Sequence, residues 1–238
     1  MGLVDIFADA VRYPFSDIAK FLFVGVLALL ASLSSVVSSF GIDNVIVSSI
    51  AAVISFVFIL MLSGYCIGVI RRGIEHSRRV PLIDPVTNII DGIKSFIIAI
   101  VYFIVPIIIT AALAMLTGVA GYELNHLFAA LGLAGVLAMI VFVLFAIFEV
   151  IALARFANTG NISAAFNIGG VLADVQKIKF LNILLFLIIS LVIMFIASLI
   201  AAAVSFIPYV GVIIATILIG AFVSLFYYRA LGLLYSYA

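Results

Sequence analysis

Apolar residues in this chain fall into runs too long and too unbroken for the interior of a water-soluble domain. Six stand out, at residues 21–40, 45–70, 95–117, 127–153, 180–206 and 210–234. A helix needs about 20 apolar residues to cross a hydrocarbon core roughly 30 Å thick. Strands of a membrane barrel instead alternate polar and apolar positions over segments of about ten residues. The runs are continuous, so the pattern predicts an all-α integral membrane protein with six transmembrane helices. Short polar breaks at 41–44 ("GIDN"), 118–126 ("GVAGYELNH") and 207–209 ("IPY") join the runs in pairs. The expected layout is a single transmembrane domain over 1–238, with hairpins at approximately 21–70, 95–155 and 180–235.

Two other stretches show a helical period of about 3.6 residues rather than a continuous run. In residues 1–20, Leu3, Ile6, Phe7, Ala10, Val11 and Phe15 share one face, with Asp5, Asp9, Arg12 and Ser16 opposite. Such a segment reads as an amphipathic lead-in lying in the plane of the membrane, bent by Pro14 before the first span. Residues 162–178 repeat the pattern less cleanly, with Phe166, Val171, Val175 and Ile178 against Asp174 and Lys177.

Composition agrees with the periodicity. The 238 residues are 68% hydrophobic and 9% charged, against roughly 45–50% apolar and about 25% charged in soluble domains. A net charge of +1 with no basic stripe argues against nucleic acid as a partner. The single cysteine, Cys66, excludes an internal disulfide and reads as a small helix-packing residue.

Charge placement orients the spans, because lysine and arginine concentrate in cytoplasmic segments. Arg12 and Lys20 precede the first run, and Arg71, Arg72, Arg78, Arg79 and Lys94 lie between the second and third. Arg155, Lys177 and Lys179 lie between the fourth and fifth, and Arg229 near the end of the sixth. The alternate breaks carry Asp43 and Glu123 but no basic residue. The prediction is a multi-pass protein of the cytoplasmic membrane with both termini inside and cytoplasmic loops at 71–94 and 156–179.

A short motif recurs at the inner side. Asp17-x-x-Lys20, Asp91-x-x-Lys94 and Asp174-x-x-Lys177 each precede an outward span, and Arg71, Arg155 and Arg229 each close the following hairpin. Residues three apart share a helix face, an aspartate near a helix start suits the positive end of the dipole, and a lysine stem can lie along the membrane boundary. The motif predicts three parallel units of one design, each marking where the chain enters lipid.

Few residues invite chemistry. The arginines at 71, 72, 78 and 79, with Lys94, are candidate contacts for anionic lipid head groups, each worth roughly 1 kcal/mol near a charged surface; enforcing topology is the simpler use of the same charges. Glu149 falls inside the fourth run, about a turn and a half before Arg155. Intramembrane carboxylates usually face a cavity or a partner; towards the inner end of its span Glu149 could simply reach the head groups or pair with a basic residue, and Asn182, at similar depth, could hydrogen-bond with it across helices. Glu149, Arg155 and Asn182 therefore form a candidate intramembrane polar site. Gly64-x-x-x-Gly68 permits close helix approach, Pro106 should kink the third span, and Gly169-Gly170 reads as a loop break. No nucleophile sits beside a base, and the chain shows neither a histidine cluster nor paired carboxylates at mid-depth.

"SGYCIGVIRRGI" (63–74), then Pro81, then "DGIK" (91–94) resembles the Gly-Tyr, Arg, Pro, Asp-Gly-x-Lys pattern of the family known as domain of unknown function 4013, and "RFANTGNISAAF" (155–166) is similar to its second cytoplasmic motif. The acidic residue that follows the first proline in the family stands here at Asp84 rather than directly beside it. The resemblance implies a mainly archaeal, polytopic membrane protein without an assigned activity, and it transfers no catalytic residue. The hairpin layout is also loosely similar to the membrane domain of some bacterial glycerophosphodiester phosphodiesterases. Residues and resemblance together predict a non-enzymatic, membrane-organising or lipid-interacting protein that needs no cofactor and no metal. The alternative is a transporter or channel for a small solute or lipid. Membrane lipids are the expected partners, with a second copy of the chain or another membrane protein left open.

Overall fold

The computed structural model describes residues 2–116, 132–208 and 210–238. Among them the secondary structure is helical, with α1 at Leu3–Arg12, a 3-10 turn at Tyr13–Ser16, α2 at Ile18–Ala31, α3 at Leu33–Ser39, α4 at Val45–Ile74 and α5 at Pro85–Leu116. After the break come α6 at Leu133–Thr159, α7 at Ile162–Ala165, α8 at Ile168–Ile178, α9 at Phe180–Ser205 and α10 at Gly211–Tyr235. Five helices are long and apolar enough to cross a membrane, or six if the pair Leu3–Ser16 and Ile18–Ala31, bent by 91°, counts as one span. Their outer faces present large apolar side chains, such as Phe56 on α4 and Leu191, Phe195 and Leu199 on α9.

The first predicted run is not one helix. It divides at Ser32 into α2 and the short α3. Serine side chains compete for backbone partners and so weaken a helix. Here the Ser38 and Ser39 hydroxyls donate to the carbonyls of Ser34 and Val36, and the Ser34 amide donates to Ser55 Oγ on α4 at 2.9 Å. The break after α3 leads to Asn44, whose side chain caps α4 by accepting from the amides of Ile46 and Val47.

Other boundaries also shift. α4 runs on through Arg71 and Arg72, and α5 starts at Pro85, so the predicted loop 71–94 contracts to residues 75–84. Asp84 opens α5, and hydrogen bonds from the Thr87 hydroxyl and backbone hold its carboxyl below the usual carboxylate range. α5 passes through Pro106, with the Thr110 hydroxyl donating to the Pro106 carbonyl at 2.8 Å. The described part of α6 continues past the predicted limit to Thr159 and ends on Gly160 at a φ of 70°, the left-handed cap that glycine adopts without strain. The predicted start of that span and the break at 118–126 lie outside the described residues.

Each lead-in docks on protein. Ile6, Phe7 and Ala10 of α1 are buried, and the Phe7 ring lies 5.7 Å from Phe186 of α9 and 6.0 Å from Phe226 of α10. Part of the predicted apolar face, Ile6, Phe7 and Ala10, is thus packed against the bundle, while Val11 and Phe15 of the same face stay exposed. Val171, Val175 and Ile178 of α8 are buried in the same core.

Glycine sets the tightest helix contact. A Cβ on Gly64 of α4 would lie 1.7 Å from the Asn88 carbonyl oxygen, and one on Gly92 of α5 would lie 1.8 Å from that of Leu60. The two backbones touch, so neither position has room for a methyl group. Gly92→Ala should lower the unfolding free energy in mild detergent by at least about 1–3 kcal/mol, the usual cost of overpacking. Gly169→Ala, whose Cβ meets nothing closer than 3.6 Å, should leave the thermal midpoint unchanged.

Candidate functional site

Charged side chains inside an apolar bundle are stable only when paired, and most of this chain's charge is gathered at one end of the bundle in that way. Arg71 near the end of α4 donates from Nη2 to Asp91 Oδ2 of α5 at 3.0 Å, and from Nε to the Ala157 carbonyl of α6 at 2.9 Å. Arg155 of α6 donates to Asp174 Oδ2 of α8 at 2.5 Å, and Asp174 also accepts from the Tyr235 hydroxyl at the end of α10. Arg229 of α10 donates from Nε to Asp9 Oδ1 of α1 at 2.9 Å. Its Nη1 reaches the carbonyls of Arg72 and Ser77, and its guanidinium lies 4.7 Å from the centre of the Tyr13 ring. Only 1% of Arg229 is exposed.

The three arginines that close the predicted hairpins therefore each meet an aspartate, in the order Asp91, Asp174, Asp9. The recurring Asp-x-x-Lys step is only part of this. Asp91 also lies 3.7 Å from Lys94, and Asp17 lies 3.5 Å from Lys20 while capping α2 through the Lys20 amide. Asp174 departs from the motif, since its carboxylate is taken by Arg155 and Tyr235. The partner of Arg229 is Asp9 rather than Asp17, a residue that the motif does not contain.

Gly170 is another residue that the motif misses. It belongs to the first turn of α8, not to a loop, and a Cβ there would meet the Arg155 guanidinium at 2.5 Å. The glycine leaves the space that Arg155 occupies. Its only sequence signal is adjacency to Asp174 on the same helix.

The expected polar site of Glu149, Arg155 and Asn182 does not assemble. Arg155 turns to Asp174, and Asn182 donates to the Ile178 carbonyl at 2.8 Å, one turn back on its own segment. The acceptor is the local carbonyl left free at the end of α8. Asn182 instead borders a cavity of about 410 Å³ with Lys177, Lys179 and Tyr237.

The basic residues between α4 and α5 separate into two groups. Arg71 and Lys94 share Asp91, and the Lys94 ammonium sits 5.8 Å over the Phe156 ring. Arg72, Arg78 and Arg79 line a cleft of about 510 Å³ with Ser16, Asp17, Lys20, Val80 and Leu82. Arg72 makes an exposed pair with Glu75, and Arg78 approaches Asp9 only at 3.8 Å with 86% of its side chain exposed. Arg79 is exposed and forms no ion pair among the described residues. The cleft holds four cationic side chains against one carboxylate, with apolar Val80 and Leu82 alongside.

Removing one partner of a buried pair costs about 3–5 kcal/mol, because the other charge is left stranded. Arg229→Ala should therefore destabilise the protein by that amount in detergent unfolding, whereas Arg79→Ala should cost less than about 0.5 kcal/mol.

The profile of a family described as a protein of unknown function (DUF4013) matches residues 47–206. No curated protein and no solved structure matches the chain. The match covers more than half of the sequence, from the start of α4 to the end of α9, and takes in the Arg71–Asp91 and Arg155–Asp174 pairs. The chain is a multi-pass membrane protein of the DUF4013 family.

Proposed function

We propose that this is a non-enzymatic protein of the cytoplasmic membrane that binds anionic lipid head groups at a basic inner end. In this reading six crossings form three hairpins of one design, with both termini inside. The Arg–Asp pairs support it, since Arg71 joins the close of the first hairpin to the helix that opens the second, while Arg155 and Arg229 join the later hairpin ends to the lead-in helices α8 and α1. The one-sided distribution of lysine and arginine supports the orientation.

The observation that carries the lipid reading is the cleft of Lys20, Arg72, Arg78 and Arg79. Arginine forks suit phosphate oxygens. Arg78 and Arg79 keep their donors available, while Arg71 and Lys94 are already engaged by Asp91. The exposed Leu82 places apolar surface beside the charges, as a molecule with a charged head and an apolar body requires. A second reading, a carrier for a small solute, draws on one observation, a cavity beside Glu149 in the spanning part of the bundle.

The lipid reading is tested by native mass spectrometry of the protein extracted with its own membrane. Arg78→Ala/Arg79→Ala should reduce retained anionic lipid relative to zwitterionic lipid, with affinity falling roughly thirtyfold at about 1 kcal/mol for each arginine. The thermal midpoint should not change. Equal retention of anionic lipid by the variant and the natural chain would count against the proposal.

A further inference from the structure

Glu149 lies far from either end of α6, about 9 Å along the helix axis from Arg155. Among the described residues it forms neither a hydrogen bond nor an ion pair. It borders a cavity of about 130 Å³ shared by four helices, with Ser63 and Ile67 of α4, Ser95 of α5, Leu153 of α6 and Tyr228 of α10. The hydroxyls of Ser63 and Tyr228 also make no hydrogen bond among the described residues. The Ser95 hydroxyl donates to the Gly92 carbonyl at 2.8 Å, which leaves its oxygen lone pairs free to accept.

A carboxylate at this depth needs a proton or a positive partner. The titratable groups that its field reaches are the phenols of Tyr102 on α5 and of Tyr227 and Tyr228 on α10. Among the described residues no basic side chain pairs with it. A proton would require no cavity. The cavity has room for a cation and a few waters, at about 30 Å³ for each water, and it is lined by Glu149 and three hydroxyl-bearing residues, whose oxygens are the hard donors that alkali and alkaline-earth cations prefer. One carboxylate balances one positive charge. A divalent ion would leave an unpaired charge in a medium of low dielectric, where such a charge is most costly.

We propose that Glu149, with the hydroxyls of Ser63, Ser95 and Tyr228, forms a binding site for a monovalent metal cation, sodium or potassium, in the spanning part of the bundle. The site is separate from the basic cleft and stands whether or not that cleft binds lipid.

The test is thermal unfolding of the full chain in mild detergent, titrated with sodium chloride or potassium chloride against choline chloride at constant ionic strength and fixed pH. The midpoint should rise in one or both metal salts by roughly 3–5 °C for each tenfold increase above the dissociation constant. Glu149→Gln should abolish that rise. Ser63→Ala and Tyr228→Phe keep the carboxylate and should raise the half-saturating concentration severalfold. Equal midpoints in all three salts would overturn the proposal, as would a cation effect that persists in Glu149→Gln. If Glu149→Gln does not fold, unchanged half-saturation in both hydroxyl variants overturns it. A midpoint that follows pH but not the cation, with the pH dependence lost in Glu149→Gln, also overturns it and assigns the carboxylate a proton instead.

Discussion

The arrangement of this bundle depends on pairing arginines that are wholly or partly withdrawn from water, Arg229 above all. Withdrawing a guanidinium from water carries a penalty of several kcal/mol unless a carboxylate and further acceptors replace the lost hydration. Arg229 meets the requirement with Asp9, two backbone carbonyls and the face of Tyr13. Satisfying it brings the start of the described chain, the end of α4 and the end of α10 to one point. Arg71 ties α4 to α5 and α6 in the same way, and Arg155 with Asp174 and Tyr235 ties α6 to α8 and α10. Apolar packing in lipid is nearly isotropic, since lipid tails compete with side chains for the same contacts. Directional bonds at one end can select the order in which helices sit.

Small residues make those bonds reachable. Gly73 and Gly232 bring α4 and α10 within backbone contact beside Arg229, and Gly170 yields its volume to Arg155. Along the spans the contact between Gly64 and Gly92 holds α4 against α5 near the cavity at Glu149. Among the described residues, polar groups then collect in two places. One is the basic end, where surplus arginines face outward once the buried pairs are made. The other is a small space beside Glu149, bordered by residues of the four helices α4, α5, α6 and α10.

Much of this was legible in the sequence, for identifiable reasons. The long apolar runs report length against bilayer thickness directly, so the presence of spanning helices followed from them. The motif around Arg71, Pro81 and Asp91 pointed to the family whose profile the chain matches. The pairing scheme was only half visible. Arg71, Arg155 and Arg229 stood out as a set, and so did Asp91 and Asp174, but Asp9 is chosen over Asp17 because α1 folds back against Phe186 and Phe226. That docking is tertiary, and an amphipathic period reads the same whether its apolar face meets lipid or protein. The break at Ser32 and the local bond of Asn182 were hidden for a related reason. Bonds such as the Ser34 amide to Ser55 Oγ, or the Asn182 amide to the Ile178 carbonyl, leave no trace in hydropathy.

The most direct measurement of the central claim is a set of double-mutant cycles across the three pairs, using Asp→Asn and Arg→Gln substitutions and unfolding free energies in mild detergent. If the pairs hold the helix ends together, Asp9 with Arg229, Asp91 with Arg71 and Asp174 with Arg155 should each show a coupling energy of about 1–3 kcal/mol, largest where Arg229 is most buried. Additive effects at all three pairs would contradict the account, and would show that the bundle is ordered by its apolar and glycine contacts alone.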